Sequence, residues 1–253
     1  MPITEVEKIW MDGELVDWRD AQVHVLSHAL HYGSGVFEGI RAYETVRGPA
    51  VWHLDEHLKR LYRSAKLYHL DIPFSPEALK DATKEVIRAN DLQSCYIRPL
   101  AFRGYGEIGV NPLESPVNVT IAVWPWGAYL GEEALEQGVR VKVSSWRRNA
   151  QNSLPAAAKA TGQYINSVLA KVESLKAGYE VREENLVRTD LYNAEECFFT
   201  GTAAEITPIR EVDDREVGEG HRGPITKELQ SAFFAATKGE NPKYPDWLTY
   251  VND

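Results

Sequence analysis

Leu154-Pro155-Ala156-Ala157-Ala158-Lys159-Ala160-Thr161-Gly162-Gln163-Tyr164 sets one lysine among four alanines, just after a proline and just before an amphipathic run. A lysine whose neighbours contribute only methyl groups is easily desolvated, the setting in which an amine serves as nucleophile or base. Downstream, Tyr164, Ile165, Val168, Leu169, Val172 and Leu175 recur at helical spacing. They predict a helix over Thr161–Lys176 with Gly178 as its C-cap.

The chain around this stretch has 253 residues, 43% of them hydrophobic, enough for two ordinary domains built around cores. A net charge of −9 and a pI near 5.4 argue against a nucleic-acid surface and favour small-molecule partners. Cys95 and Cys197 stand singly in apolar settings, which reads as buried, reduced thiols. The first residues lack a basic region with an apolar core, and no apolar run approaches the roughly 18 residues that span a bilayer. A soluble, cytoplasmic protein with no membrane contact is expected.

In chain order, Asp12-Gly13 between short apolar stretches signals a hairpin. Gly35 to Tyr43 reads as a strand. Leu58, Leu61, Ala65 and Tyr68 mark one face of a helix over Asp55–Tyr68, and a second helix starts from a Ser75 cap and Pro76. Strands follow at Cys95–Phe102 and Val117–Trp126. The expected domains are 1–126, a linker over 127–138, and 139–253, the last opening with Val139–Trp146. Beyond the lysine helix come a strand near Val181, a short helix at Asp190–Ala194 and a strand at Cys197–Thr200. A hairpin turns at Asp213-Asp214, a helix runs Pro224–Thr237, and Trp247–Val251 closes an α+β order.

Three spellings tempt and fail. Gly104-Tyr105-Gly106-Glu107-Ile108-Gly109 is a literal G-x-G-x-x-G, but Val110-Asn111-Pro112 cannot open the helix that would hold a pyrophosphate. His53-Leu54-Asp55-Glu56-His57 spells H-x-x-E-H, yet Asp55 reads as a helix cap that leaves His53 outside the helix. His24, His28 and His31 could share a helix face, but no carboxylate or thiolate accompanies them, so structural histidines are preferred to a metal site.

Several segments, in order, resemble the branched-chain amino-acid aminotransferases, class IV enzymes that use pyridoxal 5'-phosphate. His28-Ala29-Leu30-His31-Tyr32-Gly33-Ser34-Gly35-Val36-Phe37-Glu38-Gly39-Ile40-Arg41 is similar to the family's N-terminal signature. The resemblance implies a two-domain type IV fold and Lys159 as Schiff-base lysine and proton-transfer base. It implies Arg60 and Thr202 at the cofactor phosphate and Tyr164 at its phenolic oxygen. Tyr32 and Phe37 would line the side-chain pocket, Tyr96 and Arg98 would meet the substrate carboxylate, and Trp126 with Tyr129 would complete the pocket. Gly201-Thr202-Ala203-Ala204 resembles the turn whose amides and hydroxyl meet phosphate and substrate, which adds Ala203. Arg147 and Arg148 match a Ser-Trp-Arg-Arg element with no role attached. The implied substrates are leucine, isoleucine and valine with 2-oxo acids, 2-oxoglutarate accepting the nitrogen, in a homo-oligomer.

After Tyr179 this chain departs from the resemblance. A run on the order of fifty residues, a large part of an ordinary domain, is absent before Glu180. It would carry a glutamate for the pyridine nitrogen and a helix N-terminus for the phosphate, so the second domain is expected to be incomplete. Three explanations stand: a shortened coding sequence, an alternative inactive product that at most pairs with a full-length subunit, or a minimal enzyme. A D-amino-acid transaminase or an aminodeoxychorismate lyase shares the fold. The Tyr96-Ile97-Arg98 and Gly201–Ala204 elements favour the branched-chain type.

Overall fold

The computed structural model describes residues 3–127, 132–142, 144–147, 149–150, 153–176, 180–181 and 188–253. By contacts the chain forms two units that interleave in sequence. The first is 1–126 with 150–163 and 237–253, and the second is 127–149 with 164–236. The sequence expectation runs the second domain from 139 to the C-terminus. The contacts instead group the Lys159 stretch and the last residues with the first unit.

The first unit is an antiparallel sheet with helices on one face. Its N-terminal hairpin pairs β1 (Lys8–Met11) with β2 (Glu14–Asp17). The turn between them has positive φ at Asp12 and Gly13, 49° and 108°, the primed geometry that suits strand twist. A short helix α1 (His28–Tyr32) follows, then β3 (Gly35–Phe37) and β4 (Ile40–Thr45). The single strand expected over 35–43 is therefore broken at Glu38-Gly39, because Glu38 turns toward a helix and any Cβ at Gly39 would lie 2.0 Å from Tyr96 Oη. Next come β5 (Gly48–Trp52), α2 (Leu54–Leu67), α3 (Pro76–Ala89), β6 (Cys95–Arg103) and β7 (Val117–Trp124). With the closing strand Leu248–Tyr250, the order is closing strand, β5, β4, β6, β7, β1, β2, and β3 pairs with the far end of β6.

The helices form where apolar residues repeat on one face. Leu54, Leu58, Leu61 and Ala65 of α2 and Leu79, Ala82, Val86 and Ile87 of α3 are buried against Ile97, Ala101, Val119, Ile121 and Val123. Ser75 caps α3 as its sequence predicts, Oγ accepting the Ala78 N–H at 3.1 Å. Asp55 does not cap α2. His53 holds the N-cap position at φ 49°, and Asp55 sits in the first turn, where its charge suits the helix dipole. Because strands alternate, Tyr96, Arg98, Leu100 and Phe102 of β6 point away from the helices. That second sheet face carries the features described below.

The second unit holds a mixed sheet. It comprises α4 (Glu132–Gln137), β8 (Val139–Lys142), α5 (Tyr164–Lys176), β9 (Glu180–Val181) and α6 (Arg188–Tyr192). Then follow β10 (Cys197–Gly201), β11 (Glu205–Val212), β12 (Arg215–Glu216) and α7 (Pro224–Thr237). Its strands run β10, β11, β8, β9, with β12 on β11, and the β11–β8 and β8–β9 pairs are parallel. The expected linker contains α4, which Gly138 ends in a left-handed conformation at φ 75°. The stretch that opens the expected second domain begins with β8, and the helix expected at Asp190–Ala194 is displaced to Arg188–Tyr192. The hairpin at Asp213-Asp214 forms, both residues taking positive φ. Its core gathers Val139, Val141, Phe199, Ile209, Val212 and Val217.

The lysine helix departs most from expectation. Thr161–Gln163 is a 3-10 turn, α5 starts only at Tyr164, and the predicted cap Gly178 lies outside the described residues. Its periodic apolar residues do not face a core. Ile165, Val168, Leu169 and Val172 are exposed, while Asn166 and Glu173 turn inward to bond the 144–147 segment.

Candidate active site

Lys159 is held by its own backbone. Its N–H donates to Ser64 Oγ of α2 at 3.0 Å, and its C=O accepts the Phe37 N–H of β3 at 3.1 Å. Neighbours fix the rest of the stretch: Ala160 bridges Val36, and Thr161 Oγ1 donates to Gly33 O at 2.8 Å. Gly33 and Gly162 meet backbone to backbone, so closely that a Cβ on Gly33 would lie 2.7 Å from Gly162 Cα. The alanines divide between two tasks, Ala158 and Ala160 entering the core and Ala156 and Ala157 remaining exposed.

Around the half-buried Lys159 side chain the first unit gathers several predicted site residues. Lys159 Nζ stands 4.9 Å from the centre of the Phe37 ring, and the Arg98 guanidinium lies 4.7 Å from the same ring. Arg98 Nη2 donates to Tyr96 Oη at 3.2 Å, as their alternation on one strand predicts. Tyr96 in turn packs on Trp124 and Trp126, with ring centres 5.0 and 4.9 Å away. Trp124 was legible only as a strand residue, yet it completes this aromatic wall. Tyr32 stands on α1, its ring stacked on His28 at 4.5 Å and 47% exposed. On the same sheet face an apolar cleft of about 360 Å³ is lined by Ile9, Met11, Leu100, Phe102, Thr120 and Ala122.

Arg60 is oriented by a residue that sequence reasoning did not single out. Glu38, fully buried, takes Arg60 Nε and Nη2 on its two oxygens, each at 2.6 Å, and His57 Nδ1 at 3.0 Å. Burial alone would raise the Glu38 pKa. The hydrogen bonds from Arg60 and His57 outweigh it and hold the carboxyl below its ordinary value of 4.5. The signal in the sequence was a lone acid inside the apolar run Val36-Phe37-Glu38-Gly39-Ile40. Ser64 follows Arg60 by one helical turn, so one face of α2 presents the arginine and pins the lysine backbone.

The remaining predicted residues belong to the second unit or lie beyond description. Tyr164 opens α5 at 38% exposure. Thr202 and Ala203 are half-buried in the turn between β10 and β11, after which Glu205 takes a left-handed φ of 55°. Tyr129, Arg148 and Tyr179 lie outside the described residues. Arg147 is exposed, its carbonyl accepting Asn166 Nδ2 at 2.8 Å.

The tempting motifs dissolve into ordinary structure. Gly104–Gly109 is a loop, its Gly109 carbonyl bonded to the buried His28 ring, whose other nitrogen meets Ser34 Oγ at 2.7 Å. His53 and His57 go to different carboxylates, Glu56 and Glu38. Burial pushes the Cys95 thiol up to about 12, which makes it inert, while Cys197 is only half-buried.

Whether pyridoxal 5'-phosphate suits this site can be tested on the donor set. Arg98 Nε is buried with no hydrogen-bond partner among the described residues, a donor that a bound anion would satisfy. A primary amine, two guanidinium groups and aromatic walls within one unit fit a ligand with an aldehyde, a phosphate and a carboxylated substrate.

An amine beside guanidinium groups and aromatic walls suits a cofactor-dependent group-transfer enzyme, and sequence comparison names the class. The profile of amino-transferase class IV matches residues 35–180, and the chain belongs to that family. The branched-chain-amino-acid aminotransferase of Escherichia coli (strain K12) is 43% identical over 308 residues, covering 100% of each chain. That of Pseudomonas aeruginosa is 40% identical over 297 residues, covering 96% of this chain and 97% of the relative. The crystal structure of a T.th. branched-chain amino acid aminotransferase with pyridoxamine 5'-phosphate superposes with a TM-score of 0.92 at 43% identity, over 98% of this chain and 99% of that one. The 308 aligned positions exceed the 253 residues here, so the Escherichia coli enzyme carries residues without a counterpart in this chain.

Proposed function

We propose that this chain is a pyridoxal-phosphate-dependent transaminase that takes the amino group of leucine, isoleucine or valine and delivers it to 2-oxoglutarate. The observation that carries the reading is Lys159, its backbone pinned to Phe37 and Ser64 and its amine beside the Phe37 ring that Arg98 also faces. When bound, the cofactor supplies the electron sink that lets an α-proton leave. Lys159 Nζ holds the cofactor and moves the proton at the substrate α-carbon. Arg60, oriented by Glu38, holds the phosphate; the family resemblance alone assigns Thr202 to the phosphate and Tyr164 to the phenolic oxygen. Arg98 and Tyr96 take the substrate carboxylate. Phe37, Tyr32 and Trp126 of the first unit line the place of an apolar side chain, which suits branched aliphatic substrates; Tyr129 and Ala203 are assigned to that pocket by the family resemblance alone.

The partners are small amino and 2-oxo acids and a second copy of the chain. Self-association is supported by exposed apolar residues on two segments that pack together. Val25 and Leu30 lie on one, and Tyr105, Val110 and Leu113 on the other, with the His24 and Tyr105 rings 4.3 Å apart. Among the described residues no helix is long and apolar enough to cross a membrane. The buried thiol of Cys95 supports a reducing, cytoplasmic setting.

Incubating the cofactor-loaded chain with leucine and 2-oxoglutarate should yield glutamate and the leucine 2-oxo acid in equal amounts, and Lys159→Ala should abolish both. Glutamate formation no faster than in Lys159→Ala would overturn the assignment.

A further inference from the structure

Helix α2 buries Leu54, Leu58, Leu61 and Ala65 on one face, and beside that apolar stripe runs a polar one. His57, Arg60, Ser64 and Tyr68, the residue that ends the helix, fall at i, i+3, i+7 and i+11, so they share a side. A polar stripe on a helix usually meets water. Each member of this one bonds protein instead: His57 and Arg60 bond Glu38, Ser64 Oγ accepts the Lys159 N–H at 3.0 Å, and Tyr68 Oη accepts from Gln163 Nε2 at 2.9 Å.

Those partners belong together. Glu38 follows Phe37, whose N–H donates to the Lys159 carbonyl at 3.1 Å, so α2 governs both backbone groups of the lysine, one directly and one through a neighbour. Gln163 Nε2 also donates to Pro155 O at 2.9 Å, and its side-chain amide thereby ties the two ends of the 155–163 stretch to each other and to Tyr68. Ser64 is 1% exposed, and burial disfavours a hydroxyl unless it is bonded. What it bonds is the lysine backbone.

The Lys159 amine lies at the end of a flexible chain of methylene groups, so its place is only as definite as the Cα that carries it. We propose that Ser64 is a positioning residue for Lys159, assisted by the Tyr68–Gln163 bond, and that α2 is thereby the common mount of the amine and of Arg60. The inference deepens the assignment of Lys159 as the cofactor's attachment point and rests on it. Removing the Ser64 hydroxyl leaves a part-buried N–H without its acceptor, and the lysine backbone shifts to satisfy it elsewhere. The bonds of Arg60 and His57 to Glu38 are left in place. Cofactor should therefore still bind through its phosphate yet join the lysine less often.

The experiment separates binding from attachment. Equilibrium dialysis of the full chain with pyridoxal 5'-phosphate measures the first. A brief borohydride pulse, which fixes the C=N link that forms when amine and aldehyde condense with loss of water, measures the second once the label is mapped by mass. In Ser64→Ala the fraction of bound cofactor fixed on Lys159 should fall about tenfold or more. Tyr68→Phe, which removes only the phenol oxygen, should lower the same fraction, and it decides the matter if Ser64→Ala does not fold. Leu58→Ala loosens α2 from its apolar side, so it should lower stability to urea and leave the attached fraction at the parent's value. An unchanged fraction in Ser64→Ala, or in Tyr68→Phe where Ser64→Ala does not fold, overturns the proposal. So does an equal fall in Leu58→Ala, because general weakening of the helix then accounts for the loss. In each of these cases the parent chain still carries its label on Lys159. A parent chain labelled on another lysine overturns the attachment assignment itself, and this inference with it, so the two failures are told apart.

Discussion

Glu38 carries a charge where solvent cannot reach it, and its stability there depends on Arg60 and His57. An acid whose folded pKa lies below its unfolded value contributes stability that is complete above the unfolded value, here near 4.5, and is lost as pH falls through the folded one. Unfolding free energy measured by urea titration should thus fall more steeply below pH 4.5 in the parent chain than in Glu38→Gln. At neutral pH the substitution should cost toward the lower end of the about 3–5 kcal/mol typical of breaking a buried pair, because Arg60 keeps half its side chain in water. Equal slopes would mean that the pair does not couple to folding. Replacing Arg60 by alanine removes a charged hydrogen bond worth about 1.5–3 kcal/mol. Cofactor affinity, measured by equilibrium dialysis, should then drop roughly ten- to a hundredfold; an unchanged dissociation constant would mark Arg60 as a purely structural partner of Glu38. Arg60 was legible through its motif. Glu38 was not, because its partners lie 19 and 22 positions away and only the fold brings them together.

Helices and strands differ in how much of themselves local sequence specifies. α2 and α3 were readable from leucine spacing and the Ser75 cap, since both features are local. β5 escaped notice because Pro49 interrupts its pattern, although the strand forms between β4 and the closing strand. α7 is capped from a distance: Glu196 accepts the Ile225 and Thr226 N–H groups at 3.0 and 2.9 Å, a bond between segments that no local motif reveals. Glu196→Ala should therefore lower the stability of the second unit by about 0.5–2 kcal/mol, the usual worth of a cap, read from its thermal unfolding; no shift would mean that water caps α7 equally well. Leu58→Ala, at a 2% exposed position of α2, should cost the first unit about 2–5 kcal/mol. The periodicity of α5 was equally plain, but periodicity shows only that a face exists. Its outward orientation follows from what packs on the other side, which depends on Ser144, Ser145 and Arg147.

As a whole, the molecule combines a first unit whose core is closed by two helices with a second whose sheet, among the described residues, ends in a two-residue strand. Each apolar side chain left in water forfeits about 1.5–3 kcal/mol against a domain's total of about 5–15 kcal/mol, so the second unit should be the weaker. A version of the chain with the Escherichia coli segment restored after Tyr179 should unfold at a higher temperature and transaminate leucine more than tenfold faster. Turnover by the short chain within tenfold of the restored one would show that the acid opposite the pyridine nitrogen is supplied by a residue already present. The distribution of site residues also explains what sequence alone could order. Phe37, the Tyr96–Arg98 pair and Lys159 lie in separate stretches, and only the pairings of β3, β4 and β6 and the bonds to Ser64 and Phe37 collect them. That Lys159 is the cofactor's attachment point is the claim on which the rest depends. Borohydride reduction of the cofactor-loaded chain, followed by proteolysis and mass mapping, should place the pyridoxyl group on Lys159, whereas a label on any other lysine would contradict it.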